Sequence, residues 1–172
     1  MNEVMNAILN RRSIRKFENK AVPKELLDQI LQAGIYAPSG KNRQTWRFFV
    51  MREEKNKEQL RAVIGQALKN PAYTFYGADT LIFVMVDPEE VNGLADGTAA
   101  MENMMLAAHS LGLGSCWINQ LKYCGQEPEV KAALRGFQIP DQLMCVGILA
   151  VGYPAETPEA KPRRDDLITY ID

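Results

Sequence analysis

The sequence has few of the residues that enzymes use directly for catalysis or metal binding. Its 172 residues include one histidine, His109, and three cysteines, Cys116, Cys124 and Cys145. The cysteines lack Cys-x-x-Cys spacing, which argues against a zinc site, an iron–sulfur cluster or a disulfide framework. One histidine leaves little for a multi-histidine metal site or a His-based triad. Any chemistry is therefore expected to come from a bound cofactor.

Long apolar runs and excess charge are also missing. No run approaches the ~18 apolar residues of a membrane-spanning helix, and the start, MNEVMNAILNRRSIR, lacks the basic-then-apolar order of a signal peptide. A net charge of -1 gives no overall attraction to nucleic acid or membranes. We therefore expect a cytoplasmic protein that binds neither, with one domain over residues 1–172.

Hydrophobic spacing predicts helices and strands that alternate along the chain. The expected helices cover residues 3–10, Pro23 to just before Pro38, 54–69, 95–111 and 128–135. The expected strands are 46–51, 80–86, a short strand in SCWIN, and 143–153. Residues 80–86 are apolar on both faces, which predicts a central strand that is covered on two sides.

The helix at 95–111 is apolar around nearly its whole circumference, which only a deeply buried helix tolerates. Because a small protein has little room for such a helix, we expect it to pack against a second copy of the chain. Met101, Met104 and Met105 are expected in the core or the dimer interface, and His109 is expected to be a packing residue. After Pro154 the chain becomes proline-rich and charged, and then ends in the strand-like LITYI.

The stretch APSGKNRQTW, residues 37–46, places polar and basic residues between two apolar segments. It does not fit a phosphate-binding P-loop, because five residues separate Gly34 from Gly40 and Asn42 follows Lys41. The preceding segment also reads as a helix, where a P-loop requires a strand. From these residues alone, an anion-binding loop and an ordinary polar surface loop are both open.

Four polar clusters lie at loops beside the buried elements: residues 11–15, 38–44, 115–120 and 161–164. Each basic cluster by itself is typical of a solvated face. Ser13, which stands among arginines, suits a phosphate, because guanidinium groups offer paired donors and the hydroxyl adds another.

Together these clusters resemble the nitroreductase family of FMN-dependent oxidoreductases. The matching pieces are RRSIRKF, APSGKNRQTWRF, DGTAAMENMMLAAHSLGLGSCWI and KPRR, in the family's order. The resemblance implies an α+β fold with a mainly antiparallel central sheet flanked by helices, in the compact branch of the family. It also implies an intertwined homodimer with FMN at the subunit interface, in which the tail at 154–172 crosses to the partner and adds a strand.

The resemblance also assigns cofactor-binding residues. Arg11 and Ser13 match positions that hold the FMN phosphate, with Arg12 between them, and Arg15 matches one near the N1/O2 edge of the flavin. A loop that reaches FMN from the partner subunit matches Pro38, Ser39, Gly40, Asn42 and Gln44. A strand against the flavin ring matches Trp117, Ile118, Asn119 and Gln120.

Within that strand, a backbone N–H of Asn119 or Gln120 would face the flavin N5. A basic pair that closes on the phosphate matches Lys161 and Arg163, with Arg164 as the alternative. Many members carry a further lysine ahead of the first buried strand, but residues 70–79 contain none. Arg15 is therefore the main candidate for positive charge near N1.

The implied function is an NAD(P)H-dependent FMN oxidoreductase that reduces nitroaromatics, quinones or related small acceptors by ping-pong hydride transfer. The flavin would perform the chemistry, so no catalytic side chain and no metal are expected. One alternative is an FMN-binding carrier or sensor with little turnover. Another is an interaction domain without flavin, whose basic loops contact an acidic partner.

Overall fold

A computed structural model describes residues 2–171 and has an α+β architecture built on one antiparallel sheet. The strands are β1 (Trp46–Met51), β2 (Thr80–Val86), β3 (Gly114–Ile118) and β4 (Met144–Gly152). Their spatial order is β1-β2-β4-β3, and every neighbouring pair is antiparallel. The predicted fold class is confirmed.

Six helices surround the sheet, and a 3₁₀ turn covers Gly40–Asn42. The helices are α1 (Glu3–Asn10), α2 (Lys24–Ile35), α3 (Glu54–Ala67), α4 (Gly93–Ser110), α5 (Leu121–Cys124) and α6 (Pro128–Gly136). The predicted helices are all present, with ends that shift by a few residues. The sequence did not predict α5, because a four-residue helix is too short to show a hydrophobic period.

The two central strands, β2 and β4, are covered on both faces. One core packs α3, α5 and α6 against one face of the sheet, through residues such as Leu60, Leu121 and Leu134. The other core packs α2 and α4 against the opposite face. Every residue of β2 is buried, which confirms the predicted central strand.

The methionines of α4 are buried by their own chain. Met101 and Met104 are 0 % exposed and pack with α2 and the sheet. Their burial therefore does not require a second copy, so these methionines give no argument for dimerisation. The opposite side of α4 carries exposed residues such as Leu94 and Glu102, so the helix is not buried all round. The homodimer stays a prediction.

Two apolar segments are exposed in the single chain. Helix α1 has no buried residue, and its Val4, Ile8 and Leu9 face solvent. The tail after Ala155 contains no helix or strand up to residue 171, and its apolar residues Leu167, Ile168, Tyr170 and Ile171 are exposed. The predicted tail strand is therefore absent within this chain, and its pairing with a partner stays a prediction. Asp172, the end of that tail, lies outside the described residues.

No helix within residues 2–171 is both long and apolar enough to cross a membrane. In the same part of the chain, no group of three or more His, Cys, Asp or Glu could hold a metal ion. The cytoplasmic location stays a prediction.

Candidate functional site

The N-terminal arginine segment lies along the free edge of the sheet. Strand β3 is an edge strand, and Ser13 forms a parallel bridge with Ser115 beside it. The Ile14 N–H donates to the Ser115 carbonyl at 2.9 Å. This short pairing places residues 11–15 next to the start of β3, near the last turn of α4.

A cavity of ≈ 360 Å³ opens between this segment, α4 and the start of the tail. Its lining brings together two arginines, a histidine, a serine and a glutamate: Arg11, Arg12, His109, Ser115 and Glu156. We call it the arginine cavity. The cluster at 11–15 and the start of β3 therefore meet at one site.

Arg11 is the most informative side chain in the arginine cavity. Its Nε and Nη1 atoms are buried and have no hydrogen-bond partner within residues 2–171. The nearest carboxylate oxygen, Glu102 Oε1, lies 3.9 Å from Nε. The Ser115 hydroxyl is also buried, and it has no hydrogen-bond partner in the described part of the chain. Because buried unpaired polar groups are costly, these donors fit an anionic ligand.

Arg12 has a different role from its neighbour. Its Nη1 donates to the carbonyls of Leu9 and Arg11 at 2.8 Å and 2.7 Å. These are carbonyls at the end of α1, which basic side chains commonly satisfy. Arg12 therefore fixes the backbone that carries Arg11. Arg15 is exposed, and its backbone N–H donates to the Glu156 carboxylate, which ties the segment to the tail.

The loop at 38–44 has an ordered and unusual shape. Lys41, Asn42 and Gln44 have positive φ values of 55°, 56° and 50°. The Ser39 hydroxyl accepts from the Gln44 N–H at 3.1 Å, and the Gln44 side chain donates to Asn42 Oδ1 at 2.9 Å. Left-handed backbone costs about 1–2 kcal/mol for most residues. So strained a loop persists only where its surroundings hold it.

The loop and the arginine cavity are not brought together within one chain. The Gly40 N–H donates to Asp96 in the first turn of α4, whereas His109 in the last turn lines the arginine cavity. At ~1.5 Å per residue, these two helix positions are roughly 20 Å apart. None of residues 38–44 lines the cavity.

The predicted ring-contacting residues follow β3 toward α5. Ile118 is buried, Asn119 is exposed, and Gln120 precedes the first turn of α5 with a buried Oε1 that has no described partner. Trp117 lies against Gly147, where a Cβ would come within 2.2 Å of the indole Nε1. Trp117 and Asn119 border a second cavity of ≈ 320 Å³.

The basic residues of the tail remain exposed. Arg164 pairs with Asp166 at 2.6 Å, and Lys161 and Arg163 face solvent. Pro158 lines the arginine cavity, however, and Lys161 follows three residues later. At ~3.6 Å per extended residue, the Lys161 Cα lies within about 11 Å of Pro158.

Positive charge and burial shape the titration of the site. Burial lowers the pKa of His109, and the positive charges of Arg11 and Arg12 lower it further. Burial raises the pKa of the Cys116 thiol on β3, against the opposing effect of Arg15. At neutral pH the arginine cavity therefore holds a neutral histidine beside two permanent cations. His109 was expected only to pack, but it lies on the cavity wall.

The arrangement matches one family of proteins across most of its length. The family model described as "Nitroreductase family" matches residues 8–153. The chain belongs to the nitroreductase family. The match covers the arginine segment, the 38–44 loop and β3, but ends before Lys161, Arg163 and Arg164.

Solved nitroreductases share the whole fold of this chain. A nitroreductase with bound FMN from Bacteroides fragilis is 35% identical with a TM-score of 0.92, and the match covers 100% of both chains. A nitroreductase with bound FMN from Desulfitobacterium hafniense is 27% identical with a TM-score of 0.86, again over 100% of both chains. An FMN reductase (NADPH) of Bacillus subtilis is 27% identical over 99% of this chain and 73% of its own length.

Sequence reasoning missed two residues of this nitroreductase-family chain, Asp96 and Glu156, and named Ser115 only as part of the cluster at 115–120 without a role. Ser115 and Glu156 line the arginine cavity, and Asp96 holds the loop. Asp96 offered one signal, an acidic residue that opens an otherwise apolar helix. That signal has an ordinary explanation, because carboxylates are favoured in the first turn of any helix.

Proposed function

We propose that this protein is an FMN-dependent oxidoreductase that takes electrons from NADH or NADPH and passes them to a small acceptor. The observation that carries the proposal is Arg11 in the arginine cavity, whose buried Nε and Nη1 have no hydrogen-bond partner within residues 2–171. FMN ends in a phosphate, the kind of anion that such a group binds with strong charge-assisted hydrogen bonds. The FMN-bound structures and the NADPH-dependent reductase among its relatives support the same conclusion.

The phosphate would be held by Arg11 and Ser13, and Arg12 would position their backbone. The unpaired Ser115 hydroxyl adds a further donor to the same cavity. Lys161 and Arg163, or Arg164 instead of the latter, would approach from the tail and increase the positive charge. The permanent charges of these arginines would carry the electrostatic part of binding.

The flavin ring would lie against Trp117, Ile118, Asn119 and Gln120, with Arg15 supplying positive charge nearby. The chemistry that FMN supplies when bound is two-electron transfer, from the nicotinamide to a second substrate. The chain needs no acid–base dyad for this reaction, which agrees with its single histidine. We propose ping-pong turnover with nitroaromatics, quinones or related acceptors, because one exposed ring face would serve both substrates in turn.

The complete site would need a homodimer. In one chain the 38–44 loop lies near the opposite end of α4 from the arginine cavity. The loop would therefore contact the FMN bound by the second copy, through Pro38, Ser39, Gly40, Asn42 and Gln44. The LITYI segment would add a strand to the partner, which would bury its exposed apolar residues. We propose that residues 1–172 form one domain in each copy.

The test is the flavin content and reactivity of the purified protein. We expect a yellow dimer with about one FMN per chain, whose visible flavin absorbance bleaches on anaerobic addition of NADH or NADPH and returns with an acceptor. Initial rates measured against nicotinamide concentration, at several fixed acceptor concentrations, should give parallel double-reciprocal lines, as ping-pong kinetics require.

Each alternative predicts a different result. A yellow protein that neither nicotinamide bleaches would indicate a carrier or sensor. A colourless protein that does not bind added FMN would indicate an interaction domain, and the proposal would be wrong.

A further inference from the structure

A buried carboxylate joins the 38–44 loop to helix α4. Both carboxylate oxygens of Asp96 accept from the Gly40 N–H, at 3.1 Å and 3.2 Å. Asp96 is only 7 % exposed and is the only buried acidic residue within residues 2–171. Burying a charge is costly unless it is well hydrogen-bonded. Its position therefore calls for an explanation.

Two further contacts press the loop against the same end of α4. Arg43 pairs with Glu90 at 2.9 Å. Gly40 lies so close to Asn92 that a Cβ at position 40 would come within 2.3 Å of the Asn92 Nδ2. Asp96, by contrast, binds the backbone of the loop at its first turn, immediately before the two consecutive left-handed residues.

Apart from these contacts and the backbone hydrogen bonds of its 3₁₀ turn, the loop has little to hold its shape. Pro38, Lys41, Asn42, Arg43 and Gln44 are all exposed, so the loop has almost no core of its own. Its remaining side-chain hydrogen bonds join loop residues to one another. Among the contacts from outside the loop, Asp96 accepts from the loop backbone itself, so we expect its loss to let the strained residues relax toward more common backbone conformations.

We propose that Asp96 is a positioning residue for cofactor binding that acts in trans: it holds the 38–44 loop in the shape that closes on the FMN bound by the other copy of the chain. This inference rests on the proposed function. Each copy has its own Arg11 site. The inference is that Asp96 of one copy acts on the site built around the Arg11 of the other copy.

A purely local role makes a different prediction. A carboxylate in the first turn stabilises its own helix through the helix dipole, and its loss would lower the stability of the chain without regard to FMN. Measuring FMN affinity distinguishes the two roles. The melting temperature and dimer mass of the FMN-free protein are measured as well, to detect a general loss of stability.

The first experiment compares Asp96→Ala and Asp96→Asn homodimers with the parent in FMN titrations. We expect Asp96→Ala to bind FMN at least about tenfold more weakly, as expected for loss of a charge-assisted hydrogen bond. Asp96→Asn keeps an oxygen that can accept from Gly40, so it should recover part of the affinity. An Asp96→Ala dimer with the parent's FMN affinity would overturn the inference.

The second experiment decides between trans and cis action. Arg11→Ala and Asp96→Ala chains with different tags are coexpressed, and the mixed dimer that carries both tags is purified. If Asp96 acts in trans, one site carries both changes and the other carries neither. The mixed dimer should then bind half the parent's FMN, at the parent's affinity.

If Asp96 acts on the site of its own chain, each site of the mixed dimer carries one change. No site then has the parent's affinity, and the inference is overturned. Should Asp96→Ala fold poorly, Asp96→Asn replaces it in the same mixed dimer. A parent chain that binds no FMN would overturn the proposed function, and this inference with it, before any variant is made.

Discussion

Arg11 shows how a single residue can indicate a ligand. Its guanidinium is largely enclosed, yet two of its nitrogen atoms have no hydrogen-bond partner within residues 2–171, and the Glu102 carboxylate lies 3.9 Å from Nε. Arg12, one position later, has the same functional group but donates to backbone carbonyls. Two adjacent arginines therefore have separate roles, one free for an anion and one structural.

Replacing Arg11 with alanine should weaken FMN binding. A charge-assisted hydrogen bond typically contributes about 1.5–3 kcal/mol, so the dissociation constant should rise at least tenfold. The measurement is a fluorescence titration of FMN-free protein. Arg61→Ala is the matched control, because Arg61 pairs with Glu58 on α3 at 2.7 Å, against the opposite face of the sheet. Equal affinities for the parent and Arg11→Ala would remove Arg11 from the site.

The three cysteines should react slowly in the folded protein. Burial raises the pKa of Cys116 and Cys124, and raises that of Cys145 to about 12. Since the thiolate is the reactive form, these thiols stay mostly protonated and unreactive at pH 8. We expect a thiol reagent to modify all three cysteines rapidly only after denaturation. Rapid modification of a native thiol at pH 8 would contradict this account.

At the scale of elements, the close approach of α4 to the sheet determines where the loop and the cavity lie. Gly97 permits that approach, because a Cβ there would come within 2.7 Å of Val146 Cγ2 and 3.0 Å of Val86 Cγ1. The helix axis can therefore pack close to β2 and β4. Its first turn then carries the loop, and its last turn lines the arginine cavity.

Replacing Gly97 with alanine should destabilise the fold, although alanine is the better helix former. Overpacking costs about 1–3 kcal/mol, and here we expect it to exceed the gain of about 1 kcal/mol in helix propensity from glycine to alanine. Gly136→Ala in α6 is the control, since a Cβ there meets nothing within 4 Å and should leave stability unchanged or higher. Urea unfolding measures both variants. A Gly97→Ala protein as stable as the parent would show that α4 can shift away from the sheet.

At the scale of the whole molecule, the single chain leaves surfaces that a partner could cover. The apolar side of α1 and the apolar end of the tail are both exposed. Among the described residues, strand β1 pairs only with β2, so its outer edge is available to another strand. A second copy would cover such surfaces and could bring the 38–44 loop to the arginine cavity.

Two changes in the tail should separate its proposed roles. Truncation after Pro158 keeps the cavity wall but removes the basic residues and LITYI, so both dimer stability and FMN affinity should fall. The full-length triple variant Lys161→Ala, Arg163→Ala, Arg164→Ala keeps LITYI, so only FMN affinity should fall. Sedimentation and FMN titration measure the two effects. If the truncated protein stays dimeric and binds FMN as tightly as the parent, the tail has neither of the two proposed roles.

The amino-acid sequence by itself determined the elements and most of the chemistry. A run that is apolar on both faces placed β2 at residues 80–86, and helical apolar spacing located α3, because each pattern reflects which faces of a segment must be buried. The order of the four motifs identified the family, and the match to the nitroreductase family model confirmed it. Residue type also indicated that Ser13, among its arginines, suits a phosphate, and the resemblance assigned Arg11 to the same group.

Only the tertiary structure decided which of those residues meet. Hydrophobic spacing shows that the α4 methionines are buried but not by what, and the fold shows that their own chain covers them. Likewise, no local pattern could show that Arg11 is unpaired while Arg12 is satisfied, or that Asp96 holds a loop 56 residues away. Pairing and burial of polar groups depend on contacts between distant segments, and these form only when the chain folds.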